Sequence, residues 1–251
     1  MKYLSAIAIL SLFVGCAATP PAPYAPQAPG DPEGPHGLWH GVHPGMMVYG
    51  SAAGGDTKYT TRGVPNPRDE APDARLYRFV SQSWGGVDLT WMDSSSDMEN
   101  NTRVQAFDFY SYANFMTPVQ DFLRVYSRPG FYYNNINLKD ARVGDVEPWT
   151  AGARVEGELE ADLYKGKWAI LSGYGSARFG GGWGSASVVG FGRDATWAWD
   201  WGYELGLRLQ GGRVMFALSW LDRTNDFNGI DGYDNATYRF RGGNLSVGVR
   251  W

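Results

Sequence analysis

The segment TAGARVEGELEADLY, residues 150–164, sorts its residues by parity. Ala151, Ala153, Val155, Gly157, Leu159, Ala161 and Leu163 share one face, and Arg154, Glu156, Glu158, Glu160 and Asp162 share the other. A helix advances about 100° per residue and would scatter both sets around its circumference, so only the two-residue period of a strand keeps them apart. The pattern recurs in TWAWDWGYELGLRLQ, residues 196–210: Trp197, Trp199, Trp201, Tyr203, Leu205, Leu207 and Leu209 lie opposite Asp200, Glu204, Arg208 and Gln210. A sheet with so broad an apolar face must bury it. No amphipathic helical pattern follows residue 44 to do so. Two architectures remain: a sandwich with its apolar faces inside, or a closed barrel with its apolar face in lipid and its charged face lining the lumen.

Loop lengths and aromatic placement favour the barrel. Alternation marks strands at about 75–92, 102–115, 119–128, 149–164, 167–180, 195–210, 213–222 and 240–251. The gaps between them run alternately long and short, from DSSSDMENN and MTPV through 129–148, KGK, 181–194 and GG to 223–239. Membrane barrels connect their strands this way, with short periplasmic turns and longer outer loops. Trp91, Tyr110, Tyr112, Trp149, Trp168, Trp197, Trp199, Trp220 and Trp251 fall near strand ends, where interfacial girdles stand. With 34 Gly, 11 Trp, 15 Tyr and 12 Phe, the composition suits strands and tight turns. A formal charge of -4 argues against a nucleic-acid partner. No run of 18 apolar residues follows the first 15 positions, which excludes a helical span there.

The chain ends in NLSVGVRW, with Leu245, Val247, Val249 and Trp251 on one face. This resembles the C-terminal assembly signal of bacterial outer-membrane proteins, although its glycine is displaced to Gly248. The resemblance implies engagement by the barrel assembly machinery during biogenesis. Across residues 75–251 the pattern resembles small eight-stranded barrels of the OmpA/OmpX type. The expected fold class is therefore all-β: a closed antiparallel transmembrane β-barrel of eight strands with a disordered N-terminal tether. A ten-stranded alternative would make GMMVYGSAAGG a strand and WGG, residues 84–86, a turn. Against it, Tyr77, Phe79, Val87, Leu89 and Trp91 keep one parity straight through that turn.

The N-terminus reads as an export signal. Lys2 precedes the apolar LSAIAILSLFVG, too short for a stable span but suited to a signal peptide over residues 1–15. The tetrapeptide FVGC resembles the bacterial lipobox, which implies acylation of Cys16, the single cysteine, and an anchor in the inner leaflet of the Gram-negative outer membrane. Residues 16–44, rich in Pro, Ala and Gly, form a tether, since they cannot bury enough surface to offset chain entropy. Residues 45–74 are left as a loop or an extra strand. His36, His40 and His43, the three histidines of the chain, fall within the tether and are read as linker residues, not a metal site.

In an eight-stranded barrel side chains fill the interior. The expected lumen is an ionic network of Arg124, Arg128, Arg154, Glu156, Glu158, Glu160, Asp162, Asp200, Glu204, Arg208 and Arg250, because unpaired charges there would be costly. With no histidine in the barrel region, the usual base for activating a serine is missing, and neither an enzyme nor a cofactor is expected. The segment DRTNDFNGIDGYDNATYR carries Asp222, Asp226, Asp231 and Asp234, but its spacing fails the EF-hand pattern and reads as turn sequence. The resulting expectation is a lipid-anchored, plugged barrel acting through its outer loops on other envelope proteins, with outer-membrane lipid around it. A small channel or transport protein is the alternative, and a lipid-modifying enzyme a more distant one.

Overall fold

The computed structural model describes residues 46–61, 68–94, 103–140, 144–188, 192–230 and 233–250. The expected signal peptide, Cys16, the tether and Trp251 lie outside them. Within them run eleven strands, β1 Met47–Thr61, β2 Arg68–Gln82, β3 Gly85–Ser94, β4 Arg103–Ala113, β5 Phe115–Gln120 and β6 Leu123–Asp140, then β7 Gly144–Lys165, β8 Ile170–Val188, β9 Gly192–Gly211, β10 Val214–Ile230 and β11 Tyr233–Arg250. Each pairs antiparallel with its neighbour, β1 pairs with β11, and β4 pairs with β6. Ten strands, β1–β4 and β6–β11, thus close into a ring. The remaining strand, β5, continues β4 past Asn114 in unchanged register along β6, beyond the end of β3. Closure leaves no sheet edge within the ring, and that is the condition for strands to cross hydrocarbon.

The expected eight strands are therefore corrected to ten, and the barrel begins at Met47 rather than residue 75. Parity failed as a guide for a geometric reason. In the β2–β3 hairpin Gln82 pairs with Gly86, leaving an odd number of residues between them, with Trp84 at the tip. Paired residues then share parity, so Tyr77 stands beside Trp91 and Phe79 beside Leu89, and the alternation runs on as if there were no turn. The β9–β10 turn behaves oppositely. Gly211 pairs with Val214, the outward positions switch from odd to even, and Gly212 takes a φ of 58°, which glycine adopts without strain.

Both strand termini, Met47 and Arg250, stand at one end of the barrel together with the turns at Ser83–Trp84, Asp121–Phe122, Gly166–Ala169 and Gly212–Arg213. The expected MTPV turn is displaced to Asp121–Phe122, because residues 115–120 extend the ladder. Three of the expected long loops are mostly strand. Segment 129–148 continues β6 and β7, 181–194 continues β8 and β9, and 223–239 continues β10 and β11.

Alternation sorts the two faces as read. Leu159, Leu163, Leu205, Leu207, Leu209, Phe216, Leu218, Leu245, Val247 and Val249 face out and are exposed, while the alternate positions are buried. The outer aromatics interlock: Trp183 meets Trp197 edge-on with ring centres 4.3 Å apart, and Trp199 stacks on Phe179 at 5.3 Å. Inside, large tyrosines lie over glycines. A Cβ on Gly206 would stand 2.6 Å from the Leu218 carbonyl oxygen and 2.9 Å from the Tyr174 ring. Gly206→Val is expected to destabilise the barrel by about 1–3 kcal/mol through this crowding, measured as a lower urea midpoint in detergent micelles.

Candidate functional site

The interior has two layers. Nearer the termini is a lattice of charges. Arg124 binds Asp162 and stands 3.4 Å from Glu160, and Ser172 donates to Asp162 at 2.8 Å. Arg208 reaches Glu160 at 3.0 Å and Glu158 at 3.2 Å, with its guanidinium 4.5 Å from the Tyr174 ring centre. Arg128 donates to Glu156 at 2.5 Å and to Glu158 at 2.9 Å. Arg78 bridges Asp88 at 2.6 Å and Glu204 at 3.1 Å, and Glu204 accepts from Tyr174 at 2.8 Å and Ser219 at 2.7 Å.

Arg154 sits at the centre of the upper part of this lattice. It makes a bidentate pair with Asp108 at 2.7 and 2.8 Å, binds Asp200, and has the rings of Tyr132 and Tyr110 at 4.4 and 5.1 Å. Arg178 stands 3.0 Å from Asp200 and 3.4 Å from Asp108. These pairs join strands that are distant in sequence. Arg78 and Glu204 are 126 residues apart, and Arg154 and Asp108 are 46 apart.

Beyond the lattice, toward the outer connections, the lumen becomes mainly apolar, with Arg223, which donates to the Thr90 hydroxyl at 3.0 Å, and the Asn134–Asn225 pair as buried polar members. Leu76, Met92, Val104, Ile136, Leu221, Phe227, Tyr238 and Phe240 form one buried cluster that includes Ala53, Ala74, Ala106 and Ala198. Several come from an inward position above a lattice residue on their own strand, as Leu76 follows Arg78 and Ala198 follows Asp200, while Ala53, Tyr238 and Phe240 come from β1 and β11. A ten-stranded ring encloses more space than an eight-stranded one, and these long side chains fill it. A cavity of about 10 Å³ between Tyr49, Arg78, Glu158, Glu204 and Arg208 has room for about one water.

Of the residues expected in the network, all but Arg250 meet in the lattice. Arg250 belongs to β11, but its side chain lies outside those described. Sequence reasoning missed Arg78, Asp88, Asp108 and Arg178, which occupy inward parity on β2, β3, β4 and β8. The signal was present in the alternation, and only the sites across the lumen that bring them together were illegible. Leu245, Val247 and Val249 face outward on β11.

Chemically the lattice is a set of fixed charges. Arginine keeps its proton, each carboxylate here is engaged by at least one guanidinium, and no group of three His, Cys, Asp or Glu able to hold a metal occurs among the described residues. Asp222 and Asp226, expected in an outer loop, belong to β10, and Asp222 is clamped by Arg239 and Arg241. The molecule combines ring closure, an apolar outer wall and a charged interior. The chain has the fold of an outer-membrane β-barrel.

No family model matches the sequence, and no curated protein matches it. Among solved structures the barrel is similar to the outer membrane protease OmpT from Escherichia coli, at 8% identity and a TM-score of 0.47, over 83% of this chain and 97% of that one. It is similar also to Ail, the attachment invasion locus protein of Yersinia pestis, at 10% identity and a TM-score of 0.34, over 82% of this chain and 99% of that one. The translocator domain of the autotransporter NalP from Neisseria meningitidis matches at 12% identity and a TM-score of 0.33, over 82% and 89% of the two chains.

Proposed function

We propose that this chain is a lipid-anchored integral protein of the Gram-negative outer membrane whose sealed barrel serves as a structural and interaction element, not as a pore or an enzyme. The observation that carries the reading is the two-layer lumen. An ion needs a continuous polar path, and here the charged lattice meets a packed layer built on Leu76, Met92, Ile136, Leu221, Phe227 and Phe240, with Arg223 and the Asn134–Asn225 pair buried among them. Carboxylate–guanidinium pairs also tie distant walls together, as Arg78 on β2 ties to Glu204 on β9, which makes the barrel a rigid support for what its connection end presents. In this reading Cys16 carries the acyl anchor, the alternation ending at Trp251 addresses the chain to the assembly machinery, and other envelope proteins are the partners.

The test is conductance. Barrel whose folding is verified by heat-modifiable gel migration is inserted into a planar bilayer, and silence is the expected result. Steady unitary currents that disappear when Glu156, Glu158 and Glu160 are replaced by glutamine would overturn the reading in favour of transport.

A further inference from the structure

The outer wall is not equally tall all round. Rising from the termini end, the outward positions of β10 run from Val214 to Trp220 before reaching Asp222. Those of β11 run from Val249 to Gly243 before Arg241, and those of β1 from Val48 to Gly54 before Asp56. On β7, β8 and β9 the uncharged run goes on about twice as far, from Leu163 to Trp149, from Leu171 to Trp183 and from Leu209 to Trp197. At about 3.4 Å per residue along a strand tilted by about 40°, the β7 run stands about 36 Å tall, against an apolar band of about 25 Å. Tilting the barrel would shift such a run but would not lengthen it.

The excess lies at the outer end and is aromatic. Where β10 presents Asp222, Thr224, Asp226 and Asn228, β9 presents Tyr203, Trp201, Trp199 and Trp197 in register. A girdle marks one level of the interface, and here four rings climb a single strand. On the neighbouring strands Trp183 is 69% exposed and Trp149 is 41% exposed. Rings carried above the hydrocarbon meet water, so covering them is favourable in a way that covering the lipid-facing leucines below is not.

The relief of this wall fits a copy of itself. Across the β7–β8 seam Ala151 pairs with Trp183 and Val155 with Phe179, so large rings stand on the β8 side. On the β7 side Ala151 and Ala153 are exposed and low, flanked by Tyr133 and Phe131 of β6, and form a trough. A two-fold axis at the seam exchanges the two sides and lays the Trp183 of each copy in the trough of the other. A membrane admits that axis, because rotation about the barrel's own direction keeps both copies upright. The outward positions of this patch carry no charge, so two copies do not repel there, and an acidic or basic partner has nothing to pair with. A strip about 36 Å tall across the three strand spacings from β6 to β9, about 14 Å, covers about 500 Å² per copy, and the total of about 1,000 Å² reaches the size of a specific interface.

We infer that the tall wall of β7–β9 is a homodimer interface, in which two copies of this chain meet about a two-fold at the β7–β8 seam with Trp183 of each seated on Ala151 and Ala153 of the other. The rings above the hydrocarbon supply the driving force, and the small residues of β7 let the two walls approach closely. The inference rests on the outer-membrane reading above, and the envelope partner it assigns is the chain itself.

The experiment crosslinks full-length Ala151→Cys barrel in phospholipid vesicles with a short bismaleimide, after heat-modifiable gel migration has verified folding. Cys16 is present in every sample, so wild type sets the background. A residue beside a two-fold meets its own copy, and covalent dimer is expected about tenfold above that background, while Leu245→Cys, on β11, stays at it. Adding Trp183→Ser, an outward change above the hydrocarbon that leaves the barrel folded, is expected to lower the Ala151→Cys yield about fivefold. Equal yields at Ala151→Cys and Leu245→Cys would mean random collision and overturn the inference while leaving the barrel standing. A yield untouched by Trp183→Ser overturns it too, as does an Ala151→Cys yield at background with a glycan or another protein found on this wall.

Discussion

Replacing Arg154 by methionine is expected to lower the stability of the folded barrel by about 3–5 kcal/mol, read from urea unfolding in detergent micelles by tryptophan fluorescence. The guanidinium is 1% exposed, and it serves two carboxylates, Asp108 and Asp200, that Arg178 alone would otherwise have to satisfy. Methionine fills much of the volume between Tyr110 and Tyr132 but brings no donor. The loss is therefore the cost of stranding buried charge and not of opening a cavity. The matched control is Arg103→Met. Its pair with Asp93 has the same chemistry at 3.0 Å, but the arginine side chain is 53% exposed, so about 0–1 kcal/mol is expected there. Equal effects at the two positions would mean that the lattice does not hold the barrel together.

The contrast between Arg154 and Arg103 also marks what the sequence could and could not convey. Which face a residue occupies follows from its own position along a strand, so the inward placement of Arg154, Glu158 and Arg208 was legible from alternation alone. Which residue it meets depends on where the ring closes. Arg154 reaches Asp108 on β4 over the intervening β6, and no local period encodes a contact that depends on which strands the ring sets side by side. The strand count itself was hidden in the β2–β3 hairpin, where an odd loop preserved parity and fused two strands into one.

Composition misled at the outer end for a different reason. FYYNNINLKD and GGGWGSAS are rich in asparagine, serine and glycine, residues whose local hydrogen bonding and backbone freedom favour turns. In the barrel they are strand, because each has a long partner beside it: Asn134 pairs with Thr150, and Gly182 with Gly152. Nearest-neighbour ladders override local preference here, as they do wherever a strand is flanked on both sides. The mainly apolar upper layer of the lumen was missed with them. Leu221, Phe227 and Phe240 fall in or beside the segment read as the last loop, where an apolar residue carries no signal of an interior.

The sharpest test of which face meets what solvent is Leu218→Arg. Leu218 is 65% exposed on the outer wall between Leu207 and Leu245, about midway along the apolar run of β10. On a soluble sheet an exposed leucine exchanged for arginine changes stability by less than about 0.5 kcal/mol and often improves solubility. On a lipid-facing strand near the midplane the same exchange costs about 2–4 kcal/mol, because the guanidinium must be drawn into hydrocarbon or must drag headgroups and water down to it. The measurement is unfolding in phospholipid vesicles, with Arg213, in the β9–β10 turn, exchanged for leucine as the reciprocal variant. A penalty at Leu218 with little change at Arg213 places the wall in lipid. If Leu218→Arg is neutral in vesicles, the apolar wall is not the membrane-facing surface, and the sealed-barrel reading falls with it.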